Sequence, residues 1–150
     1  MRKRPARRAG RTAEDRRVFV DSSAWLAYFS ARDDNHATAA ALFQRGIGRR
    51  VSLVTTTLVV AEVHRLVLHR VGIKAAAAVL ETIDGSTHVR LVFPAGEHHK
   101  AARGWLEKLS DQEITYADAT SFAVMRAEHC SSAITFDRDF VIAGFDVWRA

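Results

Sequence analysis

The sequence predicts an α/β protein in which a parallel sheet of four to five strands is covered by helices on both faces. Short apolar runs alternate with helical stretches of about ten or more residues. The runs are continuously apolar, as strands buried on both sides must be. The chain has 150 residues, 48% of them hydrophobic, enough for one domain with a substantial core.

The elements follow in order. Val18-Phe19-Val20 forms the first strand, with Asp21 directly after it. Ser22 to about Ser30 is helical, carrying Trp25, Leu26 and Phe29 at helical spacing. His36 to Gln44 is an Ala-rich helix closed by Gly46 and Gly48, and Val51 to Val54 is the second strand. From Thr56 to Arg70, Leu58, Val59, Val63, Leu66 and Val67 keep helical spacing. Ile73 to Ile83 is a helix bounded by Gly72 and Gly85. Val89 to Phe93 is a strand stopped by Pro94 and Gly96, and a helix spans Glu97 to Leu109. Thr115 caps a helix running to His129, Ala133 to Phe136 is the fourth strand, and Val147-Trp148 supplies a fifth. In such open sheets the site lies at the carboxyl ends of the strands.

The net charge of +5 divides unevenly along the chain. Residues 1–17 hold eight basic side chains against Glu14 and Asp15, a net +6, whereas the other 133 residues hold 14 basic and 15 acidic, a net −1. The chain is read as a basic, disordered tail over 1–17 followed by one domain over 18–150. The tail lacks apolar periodicity and cannot offset the entropy of ordering. Its charge suits an electrostatic tether for RNA, but a pI near 10 says nothing about the body.

Several function classes drop out. No apolar run approaches the ~18–20 residues that span a bilayer, and no apolar segment follows the tail's charges as in a secretory signal. The single Cys, Cys130, cannot form an internal disulfide. It reads as an inert buried thiol in a reducing, cytoplasmic compartment. There is no Gly-x-Gly-x-x-Gly, Walker A loop, Gly-x-Ser-x-Gly elbow or His-Glu-x-x-His. His98 and His99 are consecutive and cannot share a helical face, and His64 points away from Glu62 on their common helix. Trp25, Phe29 and Trp105 read as core or interface.

What remains is carboxylates in unusual places. Asp21 and Asp137 each follow an apolar strand directly, so both stand at the carboxyl edge of the sheet. Each could instead serve only as a helix N-cap. Glu62 has Leu58, Val59 and Leu66 as its helical neighbours, with Arg65 as a candidate ion-pair partner. Asp118 lies three residues after Thr115, where a helix N-terminus favours an acid. Two carboxylates ~4 Å apart repel by about 4 kcal/mol at an effective dielectric near 20, so such a cluster calls for a cation. A hard divalent cation with oxygen ligands meets that need, and metal-dependent phosphodiester hydrolysis is the leading chemistry.

Val18-Phe19-Val20-Asp21-Ser22-Ser23, Val60-Ala61-Glu62-Val63, Ile114-Thr115-Tyr116-Ala117-Asp118-Ala119 and Ile134-Thr135-Phe136-Asp137-Arg138-Asp139-Phe140 resemble the four acidic motifs of PIN-domain ribonucleases. The resemblance is closest to VapC-like toxins of toxin–antitoxin pairs, and it runs in order from Val18 almost to the end. It implies a three-layer α/β/α sandwich whose acids hold Mg²⁺, or Mn²⁺, to cleave RNA and leave a 5′-phosphate and a 3′-hydroxyl. On those motifs Asp21, Glu62, Asp118 and Asp137 are the catalytic acids, with Asp21 and Asp118 the main metal ligands. Ser23 matches a supporting hydroxyl residue and Asp139 an auxiliary acid. A cognate antitoxin protein and homodimerisation are implied as well. The tail of 17 residues departs from the family pattern, which begins near the first strand. Two other readings stay open: a non-catalytic PIN-like module that binds RNA or protein, and a haloacid-dehalogenase-like phosphatase. The latter wants a second acid two residues after the strand-end Asp, where this chain has Ser23.

Overall fold

The computed structural model describes residues 16–149; the basic tail expected over 1–17 lies outside the described residues apart from Arg16 and Arg17. Five strands, β1 (Arg17–Val20), β2 (Ser52–Thr56), β3 (Val89–Val92), β4 (Ser132–Ile134) and β5 (Asp146–Val147), form one sheet in the order β3-β2-β1-β4-β5. Every pairing is parallel. The helices are α1 (Ser22–Phe29), α2 (His36–Gly48), α3 (Thr57–Arg70), α4 (Ile73–Gly85), α5 (Gly96–Lys108), α6 (Tyr116–Ala127) and α7 (Asp139–Ile142).

The strand order fixes the layers. Steps from β1 to β2 to β3 move one way across the sheet, and the chain then crosses back to β4 and on to β5. Right-handed crossovers therefore put α1–α4 on one face and α5–α7 on the other. Packing agrees: α1 touches α2 and α3, α3 touches α4, and α5 lies along α6. The result is the expected three-layer α/β/α sandwich.

β1, at the centre, has Val18, Phe19 and Val20 all fully buried. Its residues alternate between two aromatic layers. On one face Trp25 packs on Phe43 with ring centroids 4.8 Å apart, and its Nε1 donates to Thr55 Oγ1 at 3.2 Å. On the other Phe122 meets Phe140 edge-on at 5.1 Å, with Phe19 stacked beyond at 6.1 Å. Each such ring contributes about 1.5–3 kcal/mol by leaving water. Trp25 is buried, as expected, while Phe29 and Trp105 pack half-buried against the core.

Several boundaries differ from the sequence reading by a few residues, and one short helix is added to it. β1 begins at Arg17, which pairs with Ser52 and whose guanidinium donates to the Glu128 carbonyl and carboxylate at 3.2 and 3.3 Å. α2 continues to Gly48 instead of closing at Gln44, because a buried Gly46 faces Leu53 and Trp148 and packing outweighs propensity. β4 stops at Ile134, since Thr135 turns its hydroxyl toward Asp21. The short α7 lacks any periodic signal and is seeded where the Asp139 N–H donates to Asp137 Oδ1 at 2.9 Å.

Candidate active site

The direction of the crossovers reverses between β1 and β4. In an open parallel sheet the crevice forms there, beyond the carboxyl ends of the strands. β1 delivers Asp21, whose N–H donates to the Ile134 carbonyl at 3.1 Å and extends the ladder by one residue. β4 delivers Thr135 and Asp137. α6 runs back from this edge, and its N-cap Thr115 accepts from the Asp118 N–H at 3.1 Å, so Asp118 sits in the first turn facing the crevice.

Asp21 is only 3% exposed. Its Oδ2 accepts from Ser23 Oγ at 2.8 Å and from Thr135 Oγ1 at 3.0 Å, and its Oδ1 accepts from Ser22 Oγ at 3.4 Å. Burial pushes its carboxyl above the ordinary range, the hydroxyls pull it back, and the Asp137 charge raises it further. The N-cap alternative is not realised, for the Asp21 side chain makes no cap bond to α1.

Carboxylate oxygens of Asp118, Asp137 and Asp139 all lie within 4.8 Å of one another, and all three residues are half-buried. Asp118 is pushed up to about 6, first by burial, then by the charge of Asp21, with Asp137 and Asp139 adding to it and Thr115 opposing. Asp139 is also raised, by burial and by Asp137, against the pull of Arg138. Asp21, Asp118, Asp137 and Asp139 thus form one field of mutually repelling acids. Glu62 lies on α3 and is not one of the three converging carboxylates. It is half-buried in the second turn of α3 and makes no ion pair with Arg65 among the described residues.

The donor set suits a hard divalent cation: three carboxylates converge on one point, and a fourth is held beside them by hydroxyls with no basic side chain among its partners. Ser23 occupies the place where a phosphatase of the haloacid-dehalogenase type would need an acid. Its hydroxyl donates to Asp21 and accepts from the Phe136 N–H at 3.0 Å, which leaves it nothing to donate to a leaving group. Thr135 escaped the sequence reading. It donates to Asp21 Oδ2 and accepts from the Asp137 N–H at 3.0 Å, joining two acids through one hydroxyl. The only signal for it was a polar residue inside an apolar strand pattern.

The remaining candidates are structural. His98 Nδ1 accepts from the Ala95 N–H at 2.9 Å, whereas His99 Nδ1 meets the Tyr116 hydroxyl at 2.8 Å, so the two rings serve different partners. His64 is half-buried on α3. Cys130 is buried, and burial pushes its thiol up to about 12, too high for a thiolate nucleophile.

Comparison with known proteins places this crevice in context. Residues 18–146 match the model of the PIN domain. The 23S rRNA-specific endonuclease VapC20 of Mycobacterium tuberculosis is 37% identical over 128 residues, covering 85% of this chain and 95% of that protein. Ribonuclease VapC26 of the same organism is 34% identical, covering 81% and 87%. The crystal structure of M. tuberculosis VapC20, described as a sarcin-ricin loop cleaving toxin, superposes with a TM-score of 0.80 at 35% identity, over 89% of this chain and 99% of that one. FitAcB from Neisseria gonorrhoeae shares the fold at a TM-score of 0.64 and 16% identity, over 88% and 96%. With its parallel sheet, its acids at the β1/β4 edge and this extent of identity, the chain belongs to the PIN-domain family, among the VapC-type ribonucleases.

Proposed function

We propose that the chain is a metal-dependent endoribonuclease toxin that hydrolyses RNA phosphodiester bonds with Mg²⁺, or Mn²⁺, at the β1/β4 crevice. The observation that carries this reading is the convergence of Asp118, Asp137 and Asp139 beside the buried Asp21. In this reading Asp21 and Asp118 are the main ligands, with Asp137 and Asp139 completing the shell. Glu62 approaches from α3 and acts through water.

When bound, a divalent cation lowers the pKa of an attacking water and neutralises charge on the phosphodiester. The chain's own residues do the rest. Ser23 and Thr135 hold the Asp21 carboxylate in one orientation, so its lone pairs are set before substrate arrives. The backbone turn at Asp137 is locked by Thr135, and Asp139 is aimed by its own N–H bond to Asp137. The elevated pKa of Asp118 in the metal-free chain means that it sheds a proton to hold the cation, so metal affinity should rise with pH.

The substrate reading follows the relatives named for 23S rRNA and the sarcin-ricin loop. A stem–loop of ribosomal RNA is accordingly the proposed substrate class. A cognate antitoxin that covers the crevice and pairing with a second copy belong to the same proposal. The exposed Leu68, Val71, Ile73 and Leu80 of the α3–α4 corner offer an apolar face for that pairing. No helix among the described residues is long and apolar enough to cross a membrane. The test is incubation of purified protein with total RNA, with and without Mg²⁺, beside Asp21→Asn. Metal-dependent cleavage lost in the variant supports the reading, and RNA binding without turnover would place the chain among non-catalytic modules.

A further inference from the structure

A cavity of about 550 Å³ opens beside the acids, between α2, the β4–α7 turn and the C-terminal segment. Arg45, Arg138 and Arg149 line it, and Asp137 is its only carboxylate among the described residues. All three arginines are exposed, and none forms an ion pair or side-chain hydrogen bond among the described residues. The body carries a net −1 over 133 residues, so a groove lined by three arginines and one acid is a local reversal of its charge.

The walls between the arginines are apolar. Phe136 is 36% exposed and Val141 55% exposed. Trp148 lies across α2 at Gly46, its ring 3.7 Å from where a Cβ would stand, and its backbone N–H donates to the Ala133 carbonyl at 2.8 Å. The indole is therefore a fixed wall, not a loose surface side chain. Cations spaced around fixed aromatic faces fit unpaired RNA, whose phosphates meet guanidinium groups while its bases stack. Because Asp137 lines both the groove and the acid cluster, a strand in one runs directly into the other.

We propose that this groove binds the unpaired nucleotides flanking the scissile phosphate, with Arg45, Arg138 and Arg149 on phosphates and Phe136 and Trp148 against a base. The proposal deepens the ribonuclease reading and rests on it for the cleavage step. A continuous anion favours RNA over a protein segment here, since the three cations face a single acid.

The test reverses Arg45 and Arg149, both exposed and neither one of the acids' neighbours in sequence, in the full chain as Arg45→Glu and Arg149→Glu together. Binding of a short unpaired RNA is read by fluorescence anisotropy in an Asp21→Asn background, which separates binding from turnover. The expected result is affinity reduced by about tenfold or more and a log–log salt slope flattened by about 1.4, as for two lost phosphate contacts on a single strand. With Asp21 intact, KM should rise while kcat holds. Lys74→Glu, at the start of α4, should change neither affinity nor slope. Unchanged RNA affinity in the double variant overturns the proposal, as does an equal loss with Lys74→Glu. Intact RNA affinity with release of a co-expressed protein partner also overturns it, assigning the groove to that partner. If the variant effects persist but the parent chain cleaves no RNA, the groove stands and the nuclease reading falls.

Discussion

Ser23 Oγ donates to Asp21 Oδ2 over 2.8 Å while accepting from the Phe136 N–H at 3.0 Å, so a single hydroxyl ties the ends of β1 and β4 together at the acids. Ser23→Ala removes an orienting donor from a buried carboxylate and leaves every acid in place. Partners of this kind typically govern about 10–100-fold in metal affinity or activity. A loss in that range is expected in RNA cleavage, with metal affinity measured by calorimetry falling in parallel. Unaltered metal binding would show that Ser23 only packs.

Asp21→Asn should abolish cleavage without unfolding the protein. The Asn carbonyl can accept the Ser23 and Thr135 hydroxyls, and the exchange removes a charge that burial makes costly. The metal-free variant should therefore melt at or above the temperature of the parent chain. A lower melting temperature would mean that the carboxylate holds the fold together.

The acid cluster predicts a pH dependence of stability with a definite sign. Asp118 titrates near 3.8 when unfolded and near 6 when folded, so between those values the folded state binds more protons. Unfolding free energy then decreases as pH rises through that window. The contribution is complete below 3.8 and gone above about 6. Asp21 and Asp139 are raised as well and act in the same sense. Metal-free protein should melt higher near about pH 5 than near about pH 7, and saturating Mg²⁺ should raise the melting temperature more at the higher pH. Thermal melts at the two pH values, with and without the ion, decide it.

Glu62 separates the motif from the geometry. Unlike Asp21, which two hydroxyls hold in place, Glu62 has no side-chain hydrogen-bond partner among the described residues, so Glu62→Gln should cost less than Asp21→Asn, with residual cleavage and a loss of roughly 10-fold to 100-fold. Complete loss would require Glu62 to swing into the first coordination sphere once the cation binds. Single-turnover rates of the two variants make the comparison.

Glu128 anchors the opposite edge of the sheet. Its carboxylate accepts from Arg90 Nε at 2.7 Å and Nη2 at 3.2 Å, and from Arg17 at 3.3 Å. These contacts hold it below the usual carboxylate range, led by the Arg90 bond. Both arginines are substantially exposed, so Glu128→Gln should destabilise by only about 1 kcal/mol in urea titration. Cleavage per folded molecule should be unchanged.

Most of the fold was legible because its signals are local. Apolar runs at Val18–Val20 and Val51–Val54, and helical spacing from Leu58 to Val67, are periodicities that survive in one dimension. α7 was not legible, since four residues seeded by one Asx-type bond carry no period. The persistence of α2 through Gly46 depended on the Leu53 and Trp148 side chains that come to lie over it. Asp21, Asp118 and Asp137 were identifiable from strand ends and a helix start. Asp139 was named from its motif as an auxiliary acid, but how closely its carboxylate approaches those of Asp118 and Asp137 was not legible.

The sequence by itself determined the class of the protein: strands buried on both faces, helices between them, and acids placed where a parallel sheet ends. It also separated a basic tail from a near-neutral body, so that the acids and not the net charge indicate the chemistry. Only the tertiary structure decided which acids repel one another, because repulsion depends on distance and burial, and neither is encoded at a single position. It also decided that Ser23 of α1 and Thr135 just beyond β4, far apart in sequence, share one carboxylate oxygen of Asp21. The arginine-lined groove beside Asp137 exists for the same reason, since α2, the β4–α7 turn and the C-terminal segment meet only when the sheet closes.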